Sequence, residues 1–258
     1  MWINQHLRHG VDNFSIKSFQ SADALRTLLS SNDFGLGNDS WIEDHSHIFR
    51  TVYYRDMFKW IQFLLAHLPL QMLLDFEPLH VRDLENRRTY SEMNTGIWWW
   101  YTQDQRPAGA MIVPVICASD KTHLTNFWGD LHAWPLCLMM ANIWKDIHLT
   151  PKKSPWILVG LIPCHQKGAT NTDEAWHSVV GTVLFLLRNH NITGPGLKWD
   201  CADGFQRQCY PLLAAWVGDY PEQIIVAQVS YVSCPMCEIP KGVPMGHSTI
   251  QPLDNPRD

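Results

Sequence analysis

The chain has 258 residues, enough for one large domain or two small ones with a sizeable core. Apolar residues make up 46% and charged residues 17%, which excludes wholesale disorder. A net charge of −5 excludes a generally basic, nucleic-acid-coating protein, but not a nuclease with an acidic site and a local basic groove.

The opening segment MWINQHLRHG lacks the basic start and apolar stretch of a signal peptide. Residues 1–44 are polar and rich in turn formers, with a short helix expected over Ser21–Leu29 and Ser21 as its cap. Residues 53–74 place Met57, Ile61, Leu64, Leu65 and Leu68 at helical spacing and predict a helix ending near Pro69. The apolar region Met57–Leu74 is interrupted by Lys59, Gln62, His67 and Gln71, so it is amphipathic and not a membrane span.

The second half changes character. Ala110–Cys117 is a β-rich apolar run closed by Ala118-Ser119-Asp120, and it predicts a buried strand. Further strands are expected over Leu136–Ile143 and Trp156–Ile162. Thr172–Asn189 carries a helical stripe with Asp173 and Glu174 in its first turn, stopping before Gly194-Pro195-Gly196. Leu212–Val217 reads as a strand ending at Gly218-Asp219, followed by a helix from Pro221 through Val229. Strands alternating with helices argue for an α/β fold.

Asp120 and Asp219 are 99 residues apart, and each follows an apolar strand. If those strands are neighbours, two hard oxygen ligands converge at one sheet end, a donor set suited to Mg²⁺ and to phosphodiester chemistry. A strand-end Asp is also a common helix cap or turn former. Asp203, before Gly204, competes for the second position and has the same turn-forming alternative.

Cys234 and Cys237 have the spacing of half a zinc knuckle, with His247 as a candidate third ligand. Seven cysteines scattered from 117 to 237 do not form a disulfide framework, so free thiols in an intracellular, soluble chain are expected. Cys164-His165 is read as structural, because sequence neighbours on a strand face opposite ways. Thirteen tryptophans imply a very aromatic core or stacking surfaces, and Trp98-Trp99-Trp100 is expected to pack a junction. Lys145, Lys152 and Lys153 with His148 make a modest basic loop, read as a solvated turn that could touch phosphate. Arg82, Arg87 and Arg88 are read the same way.

Together the segments resemble Plavaka-type transposases, the fungal branch of the Kyakuja–Dileera–Zisupton DDE transposases related to CACTA elements. The resemblance rests on YRD at 54–56, YSEMNTGIWWW at 90–100, VPVICASDKTHLT at 113–125 and AWP at 133–135. It continues through ANIWKD at 141–146, VGLIP at 159–163, VGDYPEQ at 217–223 and CPMC at 234–237, spanning about residues 45–240.

The resemblance implies an RNase H-like core that cuts element ends and joins them to target DNA with Mg²⁺ or Mn²⁺. The expected organisation is a mainly helical region over 1–105, a partial core of mixed sheet with flanking helices over 106–232, and the zinc half-site with a frayed end over 233–258. Asp120 becomes the first acidic ligand and Asp219 the second, since related recombinases place a C-x₂-C shortly after it; Asp203 falls to second choice. Zn²⁺ at Cys234 and Cys237 would require further histidines. Lys121, Lys145, Lys152 and Lys153 are candidate DNA contacts. Partners implied are transposon-end and target DNA and another transposase copy, in the nucleus.

Departures from the family pattern concern Asn94, where a His is usual, and a thinned basic loop at Lys152-Lys153. No third acidic residue is recognised, because Glu238 abuts the zinc half-site and Glu222 belongs to the helix after Asp219. The chain ends 21 residues after Cys237, so it is expected to be a fragment or decayed copy, inactive alone. The alternatives are a DNA- or protein-binding remnant and an unrelated Mg²⁺-dependent nuclease.

Overall fold

The computed structural model describes residues 41–44, 52–67, 70–125, 131–148, 156–162, 172–189, 194–230 and Pro235. The expected helix at Ser21–Leu29, the Cys164-His165 pair and the segment around Cys234, Cys237 and His247 lie outside them. Short strands β1 (Trp41–Asp44) and β2 (Val52–Arg55) pair antiparallel. Helix α1 (Met57–Ala66) begins at Asp56, whose carboxylate accepts from the N–H groups of Phe58 at 2.9 Å and Lys59 at 3.3 Å. That cap satisfies two of the donors a helix start leaves unpaired. The helix ends at His67, before Pro69, which lacks the N–H needed to continue it.

A small hairpin follows, β3 (Val81–Arg82) with β4 (Arg88–Thr89), and then α2 (Ile97–Asp104). The central strands are β5 (Ala110–Ser119), β6 (Thr122–Thr125), β7 (Leu131–Met140) and β8 (Ile157–Ile162). Between β7 and β8 lies one turn of helix, α3 (Lys145–His148). After β8 come α4 (Thr172–Val183) and α5 (Phe185–Asn189), then β9 (Leu197–Asp200), β10 (Gln206–Val217) and α6 (Tyr220–Ala227).

Eight strands form one mixed sheet in the order β1-β2-β8-β7-β5-β10-β9, with β6 pairing β7. All neighbours are antiparallel except β5 and β10, which run parallel. The expected class, a mixed α/β chain, is therefore what the molecule adopts. The region over 41–105 is more mixed than the helical segment expected, because β1 and β2 extend the main sheet through the pairing of β2 with β8. Leu184 interrupts the single helix expected over 172–189. Its N–H still bonds Val180 O, and Arg188 N–H bonds Leu184 O, so the two pieces continue one path.

Strand β5 is covered on both faces, which explains its continuous apolar run. Met111, Val113, Val115 and Cys117 join the main core with the apolar faces of α1 (Met57, Trp60, Ile61) and α4 (Trp176, Val179, Val183). Ile112 faces the other way and packs with Trp99, Tyr210 and Leu212 beneath α2. Trp99 is fully buried there, and Trp100 stacks on His80 at 4.1 Å. The tryptophan run thus serves packing.

Candidate functional site

The site lies where β5 and β10 end. The two strands pair in parallel from Gln208 with Ala110 to Val217 with Ala118, with one irregularity. Between Leu213 and Ala215 the register shifts by one residue, leaving Ala214 as an extra residue in β10. Partners are 98 residues apart before the shift and 99 after it. Asp219 and Asp120 are also 99 apart, so the shifted register brings them to the same level, just past the strand ends. Without it, Asp219 would stand level with Lys121. Bulges of this kind re-aim side chains near sites.

Asp219 is also the N-cap of α6, where its Oδ1 accepts the N–H of Glu222 at 3.0 Å. Pro221 in the first turn has its φ fixed for a helix start. The helix closes at Gln228 in the left-handed region (φ 53°), whose N–H reaches the carbonyls of Ile224 and Ile225. Asp120 is held above the usual carboxylate range, first by partial burial and then by the negative charge of Asp219. The two carboxylates therefore feel each other.

A third carboxylate, Glu222, enters from α6, although sequence reasoning assigns it only to the helix after Asp219. Its side chain is 3% exposed and points inward. Both of its oxygens accept the indole N–H of Trp134 on β7 at 3.1 Å, and Oε1 also accepts the hydroxyl of the fully buried Ser119, the last residue of β5. Burial pushes this carboxyl up to about 7; the Trp134 bond works against that, and the charges of Asp219 and Asp120 add to it. Trp176 packs against Trp134 with ring centroids 6.1 Å apart and against Trp216 at 5.5 Å, so the floor of this sheet end is aromatic.

The donor chemistry at Asp120 and Asp219 fits a hard divalent cation. Asp120, partly buried, feels the negative charge of the exposed Asp219, and a cation shared by the two would relieve that repulsion. Mg²⁺ is commonly held by one or two carboxylates with waters and phosphate oxygens completing its shell. Among the described residues no group of three or more His, Cys, Asp or Glu side chains is arranged to hold a metal.

The other candidates fall elsewhere. Asp203 lies in the turn between β9 and β10, at the far end of β10 from Asp219, where both its oxygens take the Arg207 guanidinium at 2.8 and 2.6 Å. That ion pair holds Asp203 below the usual carboxylate range. Lys121 is exposed beside Asp120, with Nζ 5.7 Å from the centre of the Trp134 ring. Lys145 lies 3.7 Å from Glu92 in a half-exposed ion pair. Lys152, Lys153, Cys234, Cys237 and His247 are outside the described residues. Arg87 pairs with Asp83 and Glu85, and Arg88 stacks over Tyr90, so this arginine group is tied to its own hairpin. The described cysteines, Cys117, Cys137, Cys201 and Cys209, form no disulfide. No helix among the described residues is long and apolar enough to cross a membrane.

No curated protein and no solved structure gives a significant match to the chain. Residues 37–253 match the family model described as Plavaka transposase, an interval that contains Asp120, Asp219 and Glu222 and covers most of the sequence. A match of that extent makes the chain a member of the Plavaka transposase family.

Proposed function

We propose that this chain acts in DNA transposition, with Asp120 and Asp219 as two ligands of a divalent cation at a DNA-cutting and strand-joining site. Its family is one of transposases, which implies DNA as the partner. The observation that carries the proposal is the common level of Asp120 and Asp219 at the ends of two adjacent parallel strands. An antiparallel β8–β7–β5 run with β10 added parallel to β5, and helices packed on both faces, supports an RNase H-like core.

When bound, Mg²⁺ or Mn²⁺ would activate a water for attack on a phosphodiester and stabilise the departing 3′-oxygen. The chain's own residues do the rest. Asp120 and Asp219 fix the cation at the sheet end, and Asp219 is itself held by the first turn of α6. Lys121, next to Asp120 and exposed, would meet a phosphate oxygen of the bound DNA. Zinc at Cys234 and Cys237 rests on their spacing.

The test is nicking of supercoiled plasmid and of element-end duplexes by the purified chain with Mn²⁺, beside Asp120→Ala and Asp219→Ala. Loss of Mn²⁺-dependent nicking in both variants is the expected result. Nicking that survives both substitutions would remove the assigned ligands. DNA binding with no nicking would reduce the function to that of a binding remnant.

A further inference from the structure

We infer that Glu222 is the positioning residue that holds Asp120 and Asp219 together, and the inference rests on their role as metal ligands proposed above. Glu222 touches both strand ends. Its backbone N–H donates to the Asp219 carboxylate at 3.0 Å, and its side chain accepts from Ser119, the residue before Asp120. The Trp134 indole, donating to both oxygens at 3.1 Å, fixes the carboxyl from a third element. Helix start, β5 end and β7 are therefore tied through one side chain.

Two further features show that this arrangement is built into the fold. Asp219 and Glu222 have the N-cap and N3 spacing of a capping box, in which the Glu normally turns back to the N-cap N–H. Here the Glu222 side chain turns inward instead, and Asp219 keeps its half of the box. The space it occupies is also reserved. A Cβ built on Gly218 would lie 2.7 Å from Glu222 Cγ and 2.8 Å from its Cβ, so only a residue without a side chain lets Glu222 lie over the strand end. Gln223 adds a bond from Nε2 to Gly218 O at 3.0 Å. Groups that orient ligands rather than bind metal typically change metal affinity by ten- to a hundredfold when removed.

The test is Mn²⁺ binding to the whole chain by calorimetry, with thermal melting measured on the same samples. Asp120→Ala should abolish binding. Glu222→Ala should weaken it at least tenfold, and Glu222→Gln should stay within about threefold of the parent, because an amide oxygen still accepts from Trp134 and Ser119. Trp134→Phe keeps the ring packing, removes the N–H, and should weaken binding severalfold; it decides the matter if Glu222→Ala does not fold. Binding lost in Asp120→Ala but unchanged in Glu222→Ala or Trp134→Phe would overturn the positioning role and leave the Asp pair standing. Glu222→Gln as damaged as Glu222→Ala would also overturn it, by making the charge itself a ligand. No Mn²⁺ binding in the parent chain, or binding indifferent to both aspartates, would remove the metal site and the positioning role together.

Discussion

Asp219 stands level with Asp120 because β10 shifts its register against β5 by one residue between Leu213 and Ala215. Deleting Ala214 would remove the unpaired residue, keep Ala215, Trp216 and Val217 opposite Ile116, Cys117 and Ala118, and leave Asp219 level with Asp120. The expected outcome is a folded chain whose Mn²⁺ affinity stays within about threefold of the parent, read by calorimetry beside circular dichroism. A loss of about tenfold or more in a folded deletion variant would show that the local bend at Ala214, and not the level of the two aspartates alone, sets the site.

Asp120 is raised by burial first and by the Asp219 charge second, which separates two causes experimentally. Asp219→Asn removes the charge and keeps an oxygen for the helix cap. The Asp120 carboxyl should then titrate lower than in the parent, while staying above an ordinary Asp because its burial is unchanged. Carboxyl carbon shifts followed by NMR in metal-free buffer would measure this. An Asp120 titration indifferent to the change would mean the two charges do not interact.

Asp203, the competing candidate, is committed to Arg207 through two short bonds in a partly exposed turn. Asp203→Ala should therefore cost about 1.5 kcal/mol of stability, the low end of the range for hydrogen bonds to charged groups because the turn is partly exposed, and leave Mn²⁺ affinity within about twofold. Urea unfolding and calorimetry on the same variant give both numbers. A tenfold loss of Mn²⁺ affinity in a stable Asp203→Ala chain would return Asp203 to the ligand set.

Much of this site could be read in the chain, and the parts that could not have physical reasons. Asp120 and Asp219 each close an apolar run, and the pairing of β5 with β10 supplies the neighbourhood that spacing alone left open. The first half of β10 escaped notice because Gln206, Arg207 and Gln208 lack apolar alternation. They are strand through pairing with β9, which propensity does not report. The expected strand at Leu136 begins five residues earlier, at Leu131, where Pro135 broke the pattern although it lies within the ladder to β8. Glu222 was hidden for a different reason. An Asp followed three residues later by Glu reads as a capping box with an exposed carboxylate, and only Trp134, 88 positions upstream, and the bare Gly218 turn it inward. The register shift at Ala214 leaves no mark in LLAAWV, since no glycine or proline signals it.

Glu222 also gives the fold a pH dependence with a definite sign. Its carboxyl titrates near 4.5 in an unfolded chain and at about 7 in the folded one. The folded state holds the proton more tightly, so the contribution is fully present below about pH 4.5 and is lost as pH rises through about 7. A separation of that size is worth about 3–4 kcal/mol at most. Glu222→Gln cannot ionise and should keep its contribution at every pH. Urea unfolding in EDTA, which removes any metal linkage, should show the stability of Glu222→Gln relative to the parent rising by that amount between about pH 4.5 and about pH 8. Titrating groups distant from Glu222 cancel in this difference, because both chains carry them. Asp120 and Asp219, whose charges act on Glu222, add a smaller coupled change. A difference that stays constant across the window would mean that the Glu222 carboxyl titrates alike in both states, and that Trp134 and Ser119 compensate its burial in full.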